Sequence, residues 1–136
     1  PILTIHNPSF KRGMGTSIAK GVQYLPEGIN GFLIVQGDMP YLHVELIKEM
    51  ITVFKTLQAE GIQPIVAPVF KGKRGNPVLF DQSVAHSLSL LSGDEGARTL
   101  IKRSLAHLHL IEVLDRKTFI DLDTPEAYQN YLLEEE

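Results

Sequence analysis

The stretch FLIVQGDMP, residues 32–40, joins a continuous apolar run to an abrupt polar turn. Positions 32–35 are all apolar, which is typical of a strand covered on both faces in a parallel sheet. Gly37 and Pro40 end that run, and Asp38 lies between them. Open α/β sheets bind ligands at the carboxyl ends of their strands. This stretch therefore predicts a buried strand that places a carboxylate at a binding edge.

Strand and helix patterns alternate on both sides of this stretch. Apolar residues at three- and four-residue spacing predict a helix from Leu42 to Leu57, with Gly61 as its left-handed end. Other strands are predicted at residues 1–5, 65–70, 78–80, 107–113 and 119–122, and other helices at 18–22, 84–91, 92–105 and from Pro125 onward. We therefore expect a single α/β domain over residues 1–136, built around a mostly parallel sheet.

Composition excludes several classes of protein. The chain has 136 residues, of which 43% are hydrophobic and 21% charged, as in one globular domain. Its net charge of −3 argues against nucleic-acid binding. It has no cysteine, which excludes disulfides and thiolate metal sites. No apolar run approaches the ~20 residues of a membrane span, and we expect a cytoplasmic protein without a signal peptide.

Two acidic segments are candidate metal sites. Asp38 could bind Mg²⁺ that bridges phosphate oxygens, or it could cap the helix that Pro40 begins. Asp121 and Asp123 lie on one face of a predicted strand end, so both could bind one cation. Capping of the last helix is the alternative for the second segment.

Three glycine-containing segments could bind anions or bases. The segment 71–77 carries three cations, which suit an anionic group or a solvated hairpin loop. The segment 93–98 begins a predicted helix, either as an anion site with Arg98 or through a capping box of Ser92 and Glu95. The turn 13–17 offers two hydroxyls and backbone groups, but it is not a P-loop. His107 and His109 fit structural roles on a strand better than catalysis.

Five motifs recur in order: Asn7-Pro8 with Gly13-Met14-Gly15-Thr16-Ser17-Ile18, Gly37-Asp38-Met39-Pro40, Arg74-Gly75-Asn76-Pro77-Val78-Leu79-Phe80, Ser92-Gly93-Asp94-Glu95-Gly96-Ala97-Arg98, and Asp121-Leu122-Asp123-Thr124-Pro125-Glu126. In this order the chain resembles the molybdenum cofactor cytidylyltransferases, which belong to the nucleotidyltransferases similar to molybdopterin-guanine dinucleotide synthase. The resemblance covers nearly the whole chain.

The resemblance implies a Rossmann-like, three-layer nucleotidyltransferase fold and a reaction. That reaction is Mg²⁺-dependent transfer of CMP from CTP to molybdopterin, with release of pyrophosphate. Carried over residue by residue, the metal-binding and catalytic positions are Asp38 and Asp123; the nucleotide-binding positions are Gly15, Thr16, Ser17 and Gly37; and the substrate-binding positions are Arg74, Asn76, Pro77, Asp94 and Arg98. A guanylyl or sugar-phosphate nucleotidyltransferase remains an alternative, since base choice depends on a few pocket contacts.

One departure from the family is informative. No segment of these residues matches the glycine-rich Arg/Lys loop that holds the triphosphate in family members. We therefore expect the carboxyl-terminal part of such a domain, lacking its first βαβ unit and inactive alone. The sheet edge exposed by that lack would pair with a second copy or with an amino-terminal piece. A non-catalytic module that binds molybdopterin or a molybdoenzyme client is the alternative from a different class.

Overall fold

The computed structural model describes residues 2–94, 96–114 and 125–135. The elements, in chain order, are α1 Met14–Val22, β1 Gly31–Ile34, α2 Val44–Ala59, β2 Ile65–Phe70, β3 Lys73–Arg74, β4 Val78–Asp81, α3 Ala85–Ser89, α4 Arg98–Arg103, β5 Leu108–Glu112 and α5 Pro125–Glu135. Short 3-10 helices cover Phe10–Arg12, Gln82–Val84 and Leu105–His107. The predicted strand at 119–122 and the pair Asp121 and Asp123 lie outside the described residues.

The five strands form one mixed sheet around β2. β2 pairs in parallel with β5 along one edge and antiparallel with β3 and β4 along the other. β4 also pairs antiparallel with β1, so β1, β2 and β5 run in the same direction. β4 is antiparallel because a short hairpin joins it to β2, whereas a parallel neighbour needs a crossover of about a dozen residues. The predicted α/β fold is confirmed.

Both faces of the sheet are covered by apolar packing. On one face, α2 contributes Leu46, Met50 and Phe54, which pack with residues of β2, β4 and β5. On the other face, residues of β1, β2 and β4 pack with Leu88 of α3 and Ile101 of α4. β2 is buried at its first five positions, as expected for a strand covered on both faces. The core thus lies in two layers that flank the central strand.

Three sequence predictions about elements differ from the structure. Residues 2–5 of the predicted strand 1–5 are not a strand, because a strand requires a hydrogen-bonded neighbour and no described strand pairs with them; Ile2 is 96% exposed. The third predicted helix begins at Arg98 rather than near Ser92, since Gly93 and Gly96 have φ of +69° and +55° and interrupt helical geometry. Ser92 is therefore not the N-cap of this helix, which is Ala97, and Glu95 lies outside the described residues.

The helix after β1 also begins later than the sequence suggests. α2 starts at Val44 with His43 as its N-cap, so Asp38 does not cap it. At its other end, Gly61 has φ of +82°, which confirms the predicted left-handed end. No helix within the described ranges is long and apolar enough to cross a membrane.

Candidate functional site

A cleft of about 970 Å³ opens beside the carboxyl end of β1. Its walls come from α1 and Leu25 after it, from the segment 32–38, from Arg74 and Asn76 at the end of the β2–β3 hairpin, from β4, and from residues 94, 96–98 and 101. Seven sequence-predicted site residues line it, namely Ser17, Gly37, Asp38, Arg74, Asn76, Asp94 and Arg98. The fold therefore brings together motifs that are up to about eighty positions apart in the sequence.

Asp38 lies in a turn at the carboxyl end of β1 and is half-buried. The chain that follows Asp38 is anchored, because Met39 is buried and the Tyr41 ring packs edge-on against Tyr131 of α5 with centroids 5.6 Å apart. Within the described ranges, the Asp38 carboxylate accepts no hydrogen bond and forms no ion pair. The turn thus presents to the cleft a carboxylate that has no partner among the described residues.

The basic segment 71–77 has two distinct parts. Lys71 and Gly72 both have positive φ and form the tip of the hairpin between β2 and β3, with Lys73 also exposed. This tip is the solvated loop considered as an alternative from the sequence. Arg74 is half-buried and lines the cleft, so only the inner end of the segment belongs to the candidate site.

Arg74 and Arg98 face the same part of the cleft from two different segments. The pKa of Arg74 is lowered from its usual value, first by burial and second by repulsion from the Arg98 guanidinium. Neither arginine forms an ion pair with a carboxylate in the described part of the chain. Asp38 and Asp94 also line the cleft, but neither is within ion-pair distance of these arginines, so the two like charges favour an anion between them.

Asn76 and Asp94 complete the polar side of the cleft. Asn76 is half-buried two residues after Arg74 and makes no hydrogen bond through its side chain to any described residue. Asp94 is exposed at the cleft rim. Pro77, predicted at this site, is fully buried beneath it and does not line the cleft.

The turn at the start of α1 contributes Met14 and Ser17 to the cleft lining, and of its predicted nucleotide-binding residues only Ser17 is among them. The Thr16 hydroxyl accepts a hydrogen bond from Asn7 Nδ2 at 3.0 Å and lies 2.7 Å from the carbonyl of Gly13. Gly15 is buried, and its backbone N–H donates to the Gly93 carbonyl at 2.8 Å. Thr16 and Gly15 therefore hold the local structure together, and their predicted contact with a nucleotide stays a prediction.

Metal-binding groups are sparse in the described part of the chain. No three His, Asp or Glu side chains there form a cluster that could hold an ion by themselves. Asp38 and Asp94 are the carboxylates among the described residues that line the cleft. A metal at this site would therefore depend on substrate oxygens and water for most of its coordination.

Sequence reasoning missed one part of the site. Apolar side chains of α1, of β1 and of the loop between them line one side of the cleft as well as packing in the core; they include Ile18, Val22, Leu25 and Phe32. Gln36, between β1 and Gly37, also lines it. Apolar periodicity cannot distinguish a residue of the core from one that lines a cleft. The polar Gln36, directly before Gly37 and Asp38, could have been predicted from the sequence as a cleft residue.

Comparison with known proteins gives consistent matches. Residues 1–109 match the family described as MobA-like NTP transferase domain. The Bacillus subtilis purine catabolism protein PucB is 29% identical over 120 residues, which are 87% of this chain and 55% of PucB. Rv0371c from Mycobacterium tuberculosis H37Rv has a TM-score of 0.72 at 22% identity, covering 88% of this chain and 59% of its own.

A homologue of Rv0371c from Mycobacterium sp. strain JC1 has a TM-score of 0.71 at 21% identity, covering 87% of this chain and 56% of its own. A further structure of Rv0371c is a complex with manganese. This chain thus spans a little over half the length of the relatives that it matches. The family match over residues 1–109 and the cleft at the end of β1 agree, and the chain belongs to the family of MobA-like NTP transferase domains.

Proposed function

We propose that this chain forms the metal and acceptor side of a cytidylyltransferase, which transfers CMP from CTP to the phosphate of molybdopterin. One observation carries the proposal. A single cleft presents the unpaired Asp38 carboxylate together with Arg74 and Arg98, two cations that have no ion-pair partner among the described residues. Nucleotidyl transfer requires positioned phosphates and neutralised charge more than any special nucleophile.

Asp38 fits a site for Mg²⁺. This ion usually retains several waters and binds through one or two carboxylates together with substrate phosphates. A single carboxylate that has no partner among the described residues meets that requirement without a cluster of ligands. When bound there, Mg²⁺ would neutralise phosphate charge. Asp123, outside the described residues, is retained as a proposed second ligand, and the manganese complex of Rv0371c is consistent with a divalent ion in this family.

Arg74 and Arg98 suit the phosphate of the acceptor. A phosphate dianion placed between them would replace their mutual repulsion by two charge-assisted contacts. Asn76 and Asp94 could then orient the polar groups of the pterin. In the proposed reaction an acceptor phosphate oxygen attacks the α-phosphorus of CTP, the bond between the α-phosphate and the bridging oxygen breaks, and pyrophosphate leaves.

The triphosphate side of the reaction is proposed to come from sequence beyond these 136 residues. The relatives are nearly twice as long as the parts that match, and no segment here resembles the triphosphate-binding loop of the family. β1 pairs only with β4 among the described strands, so its other edge is available to a further strand. Pairing with an amino-terminal segment or with a second copy would complete that edge.

A second candidate is a non-catalytic module that binds molybdopterin or a molybdoenzyme client. The groups that it requires, Arg74, Asn76 and Arg98, all line the cleft. The two candidates differ in one measurable respect. Only the enzyme releases pyrophosphate when CTP, Mg²⁺ and molybdopterin are all present, and replacing CTP by GTP in the same assay determines the base.

The test uses two neighbouring residues of the hairpin in the enzyme that contains this sequence. Arg74→Met should raise the KM for molybdopterin by about 10- to 100-fold, the cost of one hydrogen-bonded charge, and leave the KM for CTP nearly unchanged. Lys73→Met is the matched control, because Lys73 is exposed and outside the cleft. Equal losses for both substrates, or the same effect from Lys73→Met, would contradict the proposed acceptor site.

A further inference from the structure

The first turn of α1 is in direct backbone contact with the loop that leads to Asp94 and Arg98. The N–H of Gly15 donates to the carbonyl of Gly93 at 2.8 Å. In the first turn of a helix this N–H has no partner within the helix itself. The loop carbonyl supplies that partner, so the contact satisfies the helix terminus and holds the loop against it.

Neither glycine of this turn leaves room for a side chain. A Cβ atom on Gly15 would lie 2.8 Å from the carbonyl oxygen of Gly93 and 3.1 Å from that of Ser92. A Cβ on Gly13 would overlap the backbone of Gly93 and the carboxylate of Asp94, and Gly13 also has φ of +122°. Backbone atoms cannot rotate away as a flexible side chain can, so any substitution must displace the loop.

The same turn is fixed from its opposite side. The Nδ2 group of Asn7 lies 3.0 Å from the Thr16 hydroxyl and 2.9 Å from the Ser17 hydroxyl, and the Oδ1 of Asn7 accepts from the Ser9 N–H at 3.0 Å. Ser17 lines the cleft. One short turn therefore sets the position of Ser17 on one wall and, through Gly93, of Arg98 on another.

This arrangement also argues against an anion site at the start of α1. The Gly15 N–H is already bound to Gly93, and the Thr16 N–H bonds to the Gly13 carbonyl at 3.2 Å. Backbone donors that are occupied by protein carbonyls do not bind a phosphate. Close contact with the loop thus accounts for the two glycines of this turn, and a contact of Gly15 with a nucleotide stays a prediction.

We propose that Gly13 and Gly15 are positioning residues, which set the place of Asp94 and Arg98 relative to the α1 wall of the cleft. The role of Arg98 in binding the phosphate of the acceptor substrate rests on the proposed function. The coupling between the turn and the loop does not depend on it. A displacement of a few tenths of an ångström at Gly93 is expected to weaken phosphate binding at Arg98 by about 10-fold, given that misplacement by 1 Å can cost about 100-fold.

The test follows the arginine Nε–H and backbone resonances of the 136-residue chain by NMR. Gly15→Ala should shift the backbone resonances of residues 92–98 and the side-chain Nε–H resonance of Arg98. Gly21→Ala, in the same helix, is the control for the spectra, because a Cβ there has no atom within 4 Å. If both variants leave residues 92–98 unchanged, or both change them equally, the positioning proposal is wrong.

Titration with inorganic phosphate then separates this proposal from the proposed function. In the wild-type chain we expect saturable shifts of Arg74 and Arg98, and about 10-fold weaker binding in Gly15→Ala. If the wild type does not respond to phosphate, the proposal that Arg74 and Arg98 bind the phosphate of the acceptor is wrong. The resonance shifts caused by Gly15→Ala still test the coupling between the turn and the loop.

A measurement on the unmodified chain covers the case in which Gly15→Ala does not fold. The Gly15 amide should exchange slowly with solvent for a first-turn position, because Gly93 accepts its hydrogen bond. By linkage, phosphate binding at Arg98 should slow that exchange further, by about 5-fold at saturation. Rapid exchange of the Gly15 amide, or exchange unaffected by bound phosphate, would overturn the proposal.

Discussion

Two aspartates at opposite ends of the same sheet differ in everything that surrounds them. Asp81 pairs with the first residue of β1, Gly31, whereas Asp38 lies in the turn beyond its last residue. Asp81 is 5% exposed and has both oxygens occupied, by the Gln58 Nε2 group at 3.1 Å and the Ser83 N–H at 3.0 Å. Asp38 is half-buried and has no such partner among the described residues.

The contrast shows how a structural carboxylate can be told from a candidate ligand. A charged group removed from water must be hydrogen-bonded, because the unpaired charge costs several kcal/mol. Asp81 meets that condition and ties the end of α2 to β4. Asp38 keeps contact with solvent at the cleft and leaves its oxygens free, which suits a group that binds something else.

The largest expected effect is on turnover, at Asp38. Asp38→Asn should lower turnover of the enzyme that contains this sequence by at least about 100-fold, the scale of losing one charge-stabilising group. Stability should not change, because the carboxylate makes no hydrogen bond to any described residue and does not cap α2. Pyrophosphate release measures the first effect and urea unfolding the second. Near-normal turnover would remove Asp38 from the mechanism.

The opposite pattern is expected at Asp81. Asp81→Ala should lower the free energy of unfolding by about 1–3 kcal/mol, because it leaves the Ser83 N–H and the Gln58 amide without their acceptor. Asp81→Asn retains one acceptor oxygen and should cost less. Urea unfolding of the wild type and the two variants ranks their free energies of unfolding. Phosphate binding in the cleft should be preserved in both variants. A loss of phosphate binding in a folded Asp81→Asn chain would contradict the structural assignment.

A substitution at Gly31 tests the same end of the sheet through packing. A Cβ at this position would meet the ring of Phe54 from α2 and lie 2.8 Å from the carbonyl oxygen of Phe80. Gly31→Ala should therefore cost about 1–3 kcal/mol of stability, the usual range for overpacking. Gly21→Ala is the control, and its added methyl group in a helix should stabilise by about 0.5–1 kcal/mol. Thermal or urea unfolding shows whether Gly31→Ala lowers the free energy of unfolding while Gly21→Ala raises it.

The smallest effect on stability is expected for a substitution of Arg98, one of the two arginines that line the cleft. Arg98→Met removes the repulsion that helps to lower the pKa of Arg74, so that pKa should move toward its usual value while the effect of burial remains. Folding stability should rise slightly or stay within about 0.5 kcal/mol, as for most surface substitutions. Unfolding measurements at low and high salt test this, since the gain should shrink as salt screens the repulsion. A clear loss of stability would mean that Arg98 has a structural partner.

Much of the fold was predictable because its signals are local. The apolar run before Gly37 predicted β1 and the position of Asp38, and the spacing of apolar residues predicted α2 to within a few residues at each end. The strand predicted at 65–70 matches β2, and α5 begins at Pro125 as expected. Each of these features depends on residues that are close neighbours along the chain.

Other predictions failed where the outcome depends on partners distant in sequence. Residues 1–5 have an apolar strand pattern, but a strand exists only where another strand accepts its hydrogen bonds, and no described strand pairs with residues 2–5. The capping box predicted at Ser92 has the correct residue spacing, yet the Gly93 carbonyl accepts from the Gly15 N–H of α1, Gly93 and Gly96 have positive φ, and the helix begins only at Arg98. In both cases the local sequence pattern is present, but contacts with the rest of the structure prevent the element that the pattern predicts.

The sequence by itself determined the order of the elements, the strand that ends in Asp38 and the motifs that place the chain in its family, because periodicity and short motifs are properties of neighbouring residues. Only the tertiary structure decided that Arg74 faces Arg98, that Gly15 contacts Gly93, and that Asp38 is free of α2. Those contacts join residues from separate segments, and their geometry depends on how the elements pack against one another.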